Sequence, residues 1–311
     1  MLYNTLLDQL YEPRSTTIDP LGYGRVAIVT GCASGIGLAC TQLLLSHQFW
    51  VCGIDRTQFD YNLLRVADHS RFHFHRADLV ADPNACDDSA RICLHAAANN
   101  DLPRRIDVLV NVAGVLDNFA SADTVTDATW DQVLAVNLTA PVRMMRAVLG
   151  PMKEQANEKY QQSTHMAASS SARPASGIII NVASTAGVSG AVAGVAYTAS
   201  KHGLIGATKN VAWRFRNEGI RCNAVLPGAV DSSIGQAIAG RMADGLDAAG
   251  FAELAPVHAL QARPETEPNT TSISTDITAL EVAKAILFLV SDQASSINGV
   301  CLPVDKAWGA M

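Results

Sequence analysis

A doubly wound α/β fold (Rossmann type), one parallel sheet of about seven strands with helices on both faces, is what the 311-residue sequence predicts. Three observations carry that expectation. Short apolar runs alternate with longer segments whose apolar residues recur at helical spacing. The runs are apolar at nearly every position, as strands buried on both faces require. A glycine-rich turn joins the first run to the first helical segment.

The elements follow in order. Residues 25–30 (RVAIVT) form a strand and residues 36–47 a helix. Residues 50–55 (WVCGID) form a second strand, and the alternating 71–78 (RFHFHRAD) a third. A helix over 84–99 precedes a fourth strand, 107–111 (DVLVN). Residues 127–151 read as one long helix, 177–183 (GIIINVA) as a fifth strand and 195–217 as a long helix. A sixth strand at 220–225, a helix at 278–291 and a last strand at 300–304 complete the pattern. Such alternation implies right-handed crossovers and a single domain over 23–311. Three segments fall outside the repeat: an extension at 1–22, a polar Ser/Ala-rich insert at 153–176 expected to be a solvated loop, and an excursion at 231–277. Ile234, Ile238, Met242 and Leu246 give the excursion a helix-spaced apolar face, and it is expected to form a mobile lid over a substrate.

Composition narrows the function. Hydrophobic residues make up 49% and charged residues 17%, enough apolar material for a full core. Lys plus Arg number 23 against 29 Asp plus Glu, a formal charge of −6. With no basic run, nucleic-acid binding is not expected. No stretch reaches the roughly 20 apolar residues of a membrane span, and the N-terminus lacks a secretory pattern. The seven cysteines are scattered, without a CxxC pair, and read as reduced, buried thiols of a cytoplasmic protein. No metal is expected.

The turn after the first strand reads Thr30-Gly31-Cys32-Ala33-Ser34-Gly35-Ile36-Gly37. Gly31 permits a tight turn, Gly35 lets the backbone approach a pyrophosphate, and Gly37 lets the helix pack close to the sheet. The helix N-terminus then offers N–H groups and a positive dipole end to the anion. Asp55 ends the second strand, where a carboxylate accepts from both ribose hydroxyls and repels a 2′-phosphate. No basic residue lies at 32–34, so NAD is favoured over NADP, although Arg56 adjoins Asp55.

Tyr197 and Lys201 stand four residues apart at the start of a helix, on one face. A free phenol titrates near pH 10, too high for a base at neutral pH. A neighbouring ammonium is expected to lower that value. Ser184 lies 13 residues upstream, at the C-terminal end of the fifth strand, where ligands bind in such sheets. Its hydroxyl is placed to hold a carbonyl or alcohol oxygen beside Tyr197.

On these motifs, with Asp78-Leu79, Asn111-Val112-Ala113-Gly114, Asn137 and Pro227-Gly228, residues 25–305 resemble the short-chain dehydrogenase/reductase family. The resemblance implies that Asp78 and Leu79 bind adenine, and that Asn111, Ala113 and Gly114 line the cofactor floor. It implies that Asn137 holds a water linking Lys201 to solvent, that Tyr197 is the general acid/base and that Ser184 polarises the substrate oxygen. Lys201 would also bond the nicotinamide ribose, while Pro227, Gly228, Val230 and Ser232 would contact the nicotinamide end. The family often reads NNAG and VDGG; here Val112 replaces the second Asn, and Val304-Asp305-Lys306-Ala307 replaces the glycines. The latter change is expected to alter packing at a subunit contact. The resemblance also implies a homo-tetramer or homo-dimer built on the helices at 127–151 and 195–217.

The expected activity is NAD-dependent interconversion of a secondary alcohol and a ketone on a bulky hydrophobic small molecule. A redox-neutral reaction on the same fold, such as epimerisation or cyclisation, would leave the cofactor unchanged overall. A non-catalytic NAD-binding protein would have no need of Tyr197 or Lys201. Weaker signals are read as structural: His73 and His75 as strand histidines, His202 as a helix-face residue, Cys32 as a small filler, and Trp213 and Phe215 as core or oligomer contacts. The glycosylation-like patterns at Asn137 and Asn269 are read as chance.

Overall fold

Two-sided burial turns each apolar run into a strand of one sheet. The computed structural model describes residues 21–100, 102, 104–165, 176–231, 246–260 and 277–310. Its strands are β1 (Val26–Thr30), β2 (Trp50–Asp55), β3 (Phe72–Arg76), β4 (Val108–Asn111), β5 (Gly177–Val182), β6 (Ile220–Pro227), β7 (Val230–Asp231), β8 (Ile277–Thr278) and β9 (Cys301–Val304). Its helices are α1 (Gly35–Ser46), α2 (Ala85–Ala98), α3 (Asp127–Leu134), α4 (Ala140–His165), α5 (Val195–Arg214), α6 (Ala248–Ala259) and α7 (Ala279–Val290). Seven strands pair in the order β3-β2-β1-β4-β5-β6-β9, all parallel. β7 and β8 form a separate parallel pair.

Alternate residues of each strand feed two layers. Ala27 and Val29 face α1 and α7, meeting Leu44, Leu45, Val282 and Ile286. Val26 and Ile28 face α2, α4 and α5, meeting Cys86, Met144, Val148 and Val211. Each such buried aliphatic side chain contributes about 1.5–3 kcal/mol. α7 begins with a capping box: Thr278 Oγ1 accepts from Glu281 N–H at 3.2 Å, and Glu281 Oε2 accepts from Thr278 N–H at 2.7 Å. That satisfies two amides otherwise left open at a helix start.

Three expectations are corrected. The helix read over 127–151 is interrupted at Ala135–Thr139 by a π-helical turn, because Asn137 is fully buried there and turned onto the Val115 main chain. The insert at 153–176 is not wholly a loop, since α4 continues through His165; Gln155 anchors it by donating to the carbonyls of Ile106 and Ser176, both at 3.0 Å. The cysteines are not all free thiols. Cys52 of β2 and Cys93 of α2 face each other in one apolar layer, Cα atoms 5.8 Å apart, and form a disulfide. Cys32, Cys40, Cys86, Cys222 and Cys301 remain free.

Against the expectation that no stretch is long and apolar enough for a membrane span, the helical run Asp127–Asn157 is so by length and composition. Here Met144, Met145, Val148 and Met152 are buried against the sheet and α2, so the run serves as a core helix. Trp213 is not a core residue: it is exposed, with the Arg216 guanidinium 3.8 Å over its ring. The extension up to residue 20, residues 166–175 of the insert, and most of the excursion at 231–277, with Ile234, Ile238, Met242 and Ser232, lie outside the described residues. The described part of the excursion, residues 246–260, carries α6 packed on the body of the domain.

Candidate active site

β1 neighbours β2 on one side and β4 on the other, so the chain direction across the sheet reverses there. A crevice opens at such a switch point, outside the strand C-termini. Thr30 ends β1 at that point, and its Oγ1 accepts from the amides of Val112 and Ala113 at 3.1 and 3.2 Å. The glycine loop is thereby tied to the loop after β4.

The glycines are required by space. Gly31 has φ +71°, and a Cβ there would come within 2.9 Å of the Ala113 backbone. A Cβ on Gly37 would lie 1.9 Å from the Gly31 carbonyl oxygen. Gly35 also has positive φ, 51°. Ser34 is the N-cap residue of α1, extended at φ −156°, and Ile36 opens the helix partly buried against the core. The first-turn amides of α1 thus sit beside a bare backbone turn, a cradle that fits a pyrophosphate. Asp55 ties this loop to β2: Oδ2 accepts from Ala33 N–H at 3.0 Å, and Oδ1 from Thr57 N–H at 2.9 Å. The strand-capping role is thus present in this carboxylate. Cys32 is buried and its thiol pushed up by burial, which fits a filler.

Further along, Asp78 is exposed and accepts from Val80 N–H at 3.1 Å, while Leu79 is buried. The Asn111 side chain turns into the sheet, donating to Asn181 Oδ1 at 2.9 Å, and its own Oδ1 is buried without a partner. Gly114 lies where a Cβ would be 3.3 Å from Asn137 Oδ1 and 3.7 Å from Lys201 Nζ. Pro227 ends β6; Gly228 N–H bonds the Val304 carbonyl at 3.1 Å, and Val230 pairs with Ile277.

Ser184, Tyr197 and Lys201 meet at the C-terminal end of β5. Ser184 accepts from Ala186 N–H at 3.1 Å and hydrogen-bonds the Tyr197 phenol. Lys201 is buried; its Nζ donates to the Val182 carbonyl at 3.0 Å and lies 5.4 Å from the Tyr197 ring centre. Asn137 Nδ2 donates to the Val115 carbonyl at 2.8 Å and to Ser200 Oγ at 3.2 Å. It braces the floor loop against the helix that bears Tyr197.

Burial acts on both members of the pair. Burial pushes the Tyr197 phenol up to about 12, against a lowering by the Ser184 hydrogen bond. Lys201 does not offset this: burial brings the ammonium itself down to about 8, and its proton is directed at Val182. The chain's own groups therefore keep Tyr197 a neutral phenol near pH 7, with a proton to give.

Sequence reasoning missed Asp117. This buried carboxylate, on the loop after β4, accepts from the amides of Phe119 at 3.1 Å, Gly194 at 3.2 Å and Tyr197 at 2.9 Å. It caps α5 from across the loop, where the N-cap Gly194 has no side chain to do so. A lone Asp in an apolar loop carries no spacing signal that would have found it. Among the described residues no group of three His, Cys, Asp or Glu gathers as for a metal. His73 stacks on Trp50 at 6.1 Å, and His202 Nδ1 lies 3.0 Å from the Thr198 carbonyl.

A phosphate cradle at a switch point, with a hydroxyl, phenol and amine two strands along at the end of β5, defines a dinucleotide-binding oxidoreductase. The comparisons with known proteins agree. The family model for short chain dehydrogenase matches residues 25–243, and the chain belongs to the short-chain dehydrogenase/reductase family, whose members bind a nicotinamide cofactor. It is 45% identical over 286 residues to short-chain dehydrogenase/reductase cdmF of Talaromyces verruculosus, covering 92% of this chain and 97% of the relative. Asnovolin H dehydrogenase nvfC of Aspergillus novofumigatus is 40% identical over 287 residues, with the same shares covered. Levodione reductase superposes with a TM-score of 0.71 at 23% identity, over 93% of this chain and 99% of that one, a likeness of fold alone.

Proposed function

We propose that this oxidoreductase interconverts a secondary alcohol and a ketone with NAD as coenzyme, on a bulky hydrophobic small molecule. The observation that carries the reading is the convergence of Ser184, Tyr197 and Lys201 at the end of β5, in the sheet whose β1 leads into the glycine loop. When bound, the nicotinamide supplies or accepts the hydride. Ser184 orients the substrate oxygen. Tyr197 gives its proton to that oxygen in reduction and recovers it in oxidation. Lys201, whose Nζ lies near Gly114, holds the inner end of the proton path.

NAD preference rests on Asp55 and the absence of a basic residue at 32–34. Replacing Asp55 with Ser is expected to narrow the preference for NAD over NADP by about tenfold or more, since a desolvated like-charge contact with the 2′-phosphate disappears. Steady-state rates on a panel of ketones and alcohols with NAD(H) and NADP(H), read by nicotinamide absorbance, test both parts. Turnover confined to small polar polyols would sink the substrate class, and a parent enzyme preferring NADP would sink the Asp55 argument. The hydrophobic substrate is supported by the apolar residues of α6: Val257, which packs on the same small cluster as Tyr197, and Phe251, which packs on Phe119.

Self-association is part of the same proposal. A groove of about 620 Å³ runs between α4 and α5, lined by Val142, Met145, Leu149, Ala207, Val211 and Phe215. Val142→Lys, at a 41% exposed position, is expected to shift the protein toward monomer in light scattering without lowering its melting temperature; an unchanged mass would reject this face.

A further inference from the structure

Two consecutive residues near the C-terminus occupy backbone geometry that suits glycine. Lys306 has φ 49° and Ala307 φ 70°, in the left-handed region that L side chains disfavour. The turn is held from several sides. The buried Asp305 carboxylate accepts from the amides of Ala307 at 3.1 Å and Gly309 at 2.8 Å, and its carbonyl accepts from Trp308 N–H at 3.0 Å. Lys306 Nζ lies 3.6 Å from Glu281 Oε1, the carboxylate that caps α7. Backbone strain so heavily supported calls for a reason.

What the turn delivers is Trp308. Its indole is 8% exposed, and Nε1 donates to the Val257 carbonyl of α6 at 2.9 Å. Its ring lies 5.4 Å from that of His258, whose Nε2 sits 3.0 Å from the Val192 carbonyl. Phe119, in the loop after β4, continues the chain of rings to His258 at 6.2 Å and Phe251 at 5.1 Å. His258 and Phe251, seven residues apart, share one face of α6. Trp308 also packs in one small apolar cluster with Ala186, Val192 and Ala193, against which Tyr197 and Val257 lie. The C-terminal turn thus touches α6 and the surroundings of the phenol at once.

We propose that Trp308 is a positioning residue that latches α6 beside Tyr197 and so sets how a bulky ketone is held there. This rests on the alcohol–ketone reading for its substrate, but the latch itself has a readout that needs no turnover. Carrying Trp308 there is what the turn at Lys306 and Ala307 accomplishes.

The test is hydrogen exchange of the peptide over 248–259 in the full chain, alongside steady-state kinetics on the best ketone of the panel. Trp308→Ala is expected to speed exchange of 248–259 by about tenfold. It is expected to raise the ketone KM by about tenfold and change kcat by less than about threefold, with NADH affinity within about twofold. Trp308→Phe, which keeps a ring but loses the Nε1 bond, is expected to show smaller changes in the same direction, and serves if the Ala variant does not fold. Unchanged exchange in the Trp308 variants, or faster exchange with an unaltered KM, would overturn the latch. If no ketone is turned over by the parent protein while the exchange effect is present, the latch on α6 holds and the substrate reading fails.

Discussion

Tyr197→Phe is expected to lower turnover by about a thousandfold while leaving NAD affinity within about twofold. The substitution removes one oxygen and keeps the ring, so the packing against Val192, Ala193 and Trp308 survives. What is lost is the phenolic proton next to Ser184 at the strand end. Burial pushes the phenol up to about 12, which gives the protonated state that the proposed role as acid of ketone reduction requires at neutral pH. No other described group can replace it. Lys201, about 8, points at the Val182 carbonyl, and the Ser184 hydroxyl is a far weaker acid. Single-turnover reduction followed by loss of NADH absorbance separates this from a binding defect. A variant retaining more than a tenth of the parent rate would reject Tyr197 as the proton donor.

The sheet was legible in the sequence because a strand buried on both faces must be apolar throughout, and few other segments are. β1, β2 and β5 lie within a residue of their expected bounds. The phosphate loop was legible for a related reason: glycines at 31 and 37 have no substitute where a Cβ would strike backbone, and Gly35 has positive φ. Long-range geometry was not legible. Cys52 and Cys93 are separated by 41 positions and meet only because α2 folds back across β2. The π-helical turn at Ala135–Thr139 hides inside a helical apolar pattern, since one buried Asn does not break that period. Spacing places Lys201 near Tyr197 without saying where its ammonium donates, which is to the Val182 carbonyl. The lysine and alanine at 306 and 307 were visible as departures, but only backbone angles show that they complete a turn aimed at α6.

Asp117→Ala is expected to cost about 3 kcal/mol or more of stability, and most of the activity with it. The mutation leaves three buried amides without an acceptor, and each orphaned donor costs about 1–3 kcal/mol. Two of those amides, of Gly194 and Tyr197, belong to the start of the catalytic helix. Gly194, the N-cap residue, has no side chain to take over. The carboxylate is itself strained by its setting: burial raises its pKa against the pull of the four amides around it. An uncharged acceptor should therefore recover part of the loss, and Asp117→Asn is expected to cost about half as much as Asp117→Ala by urea melting. The Asn variant also removes a negative charge that raises the Tyr197 pKa by repelling the phenolate. Without that charge the phenol ionises at lower pH, so the alkaline fall-off of ketone reduction should move downward. A merely structural Asp117 would leave that limb in place, and equal stability of the Ala variant and the parent would remove Asp117 from the account of α5 altogether.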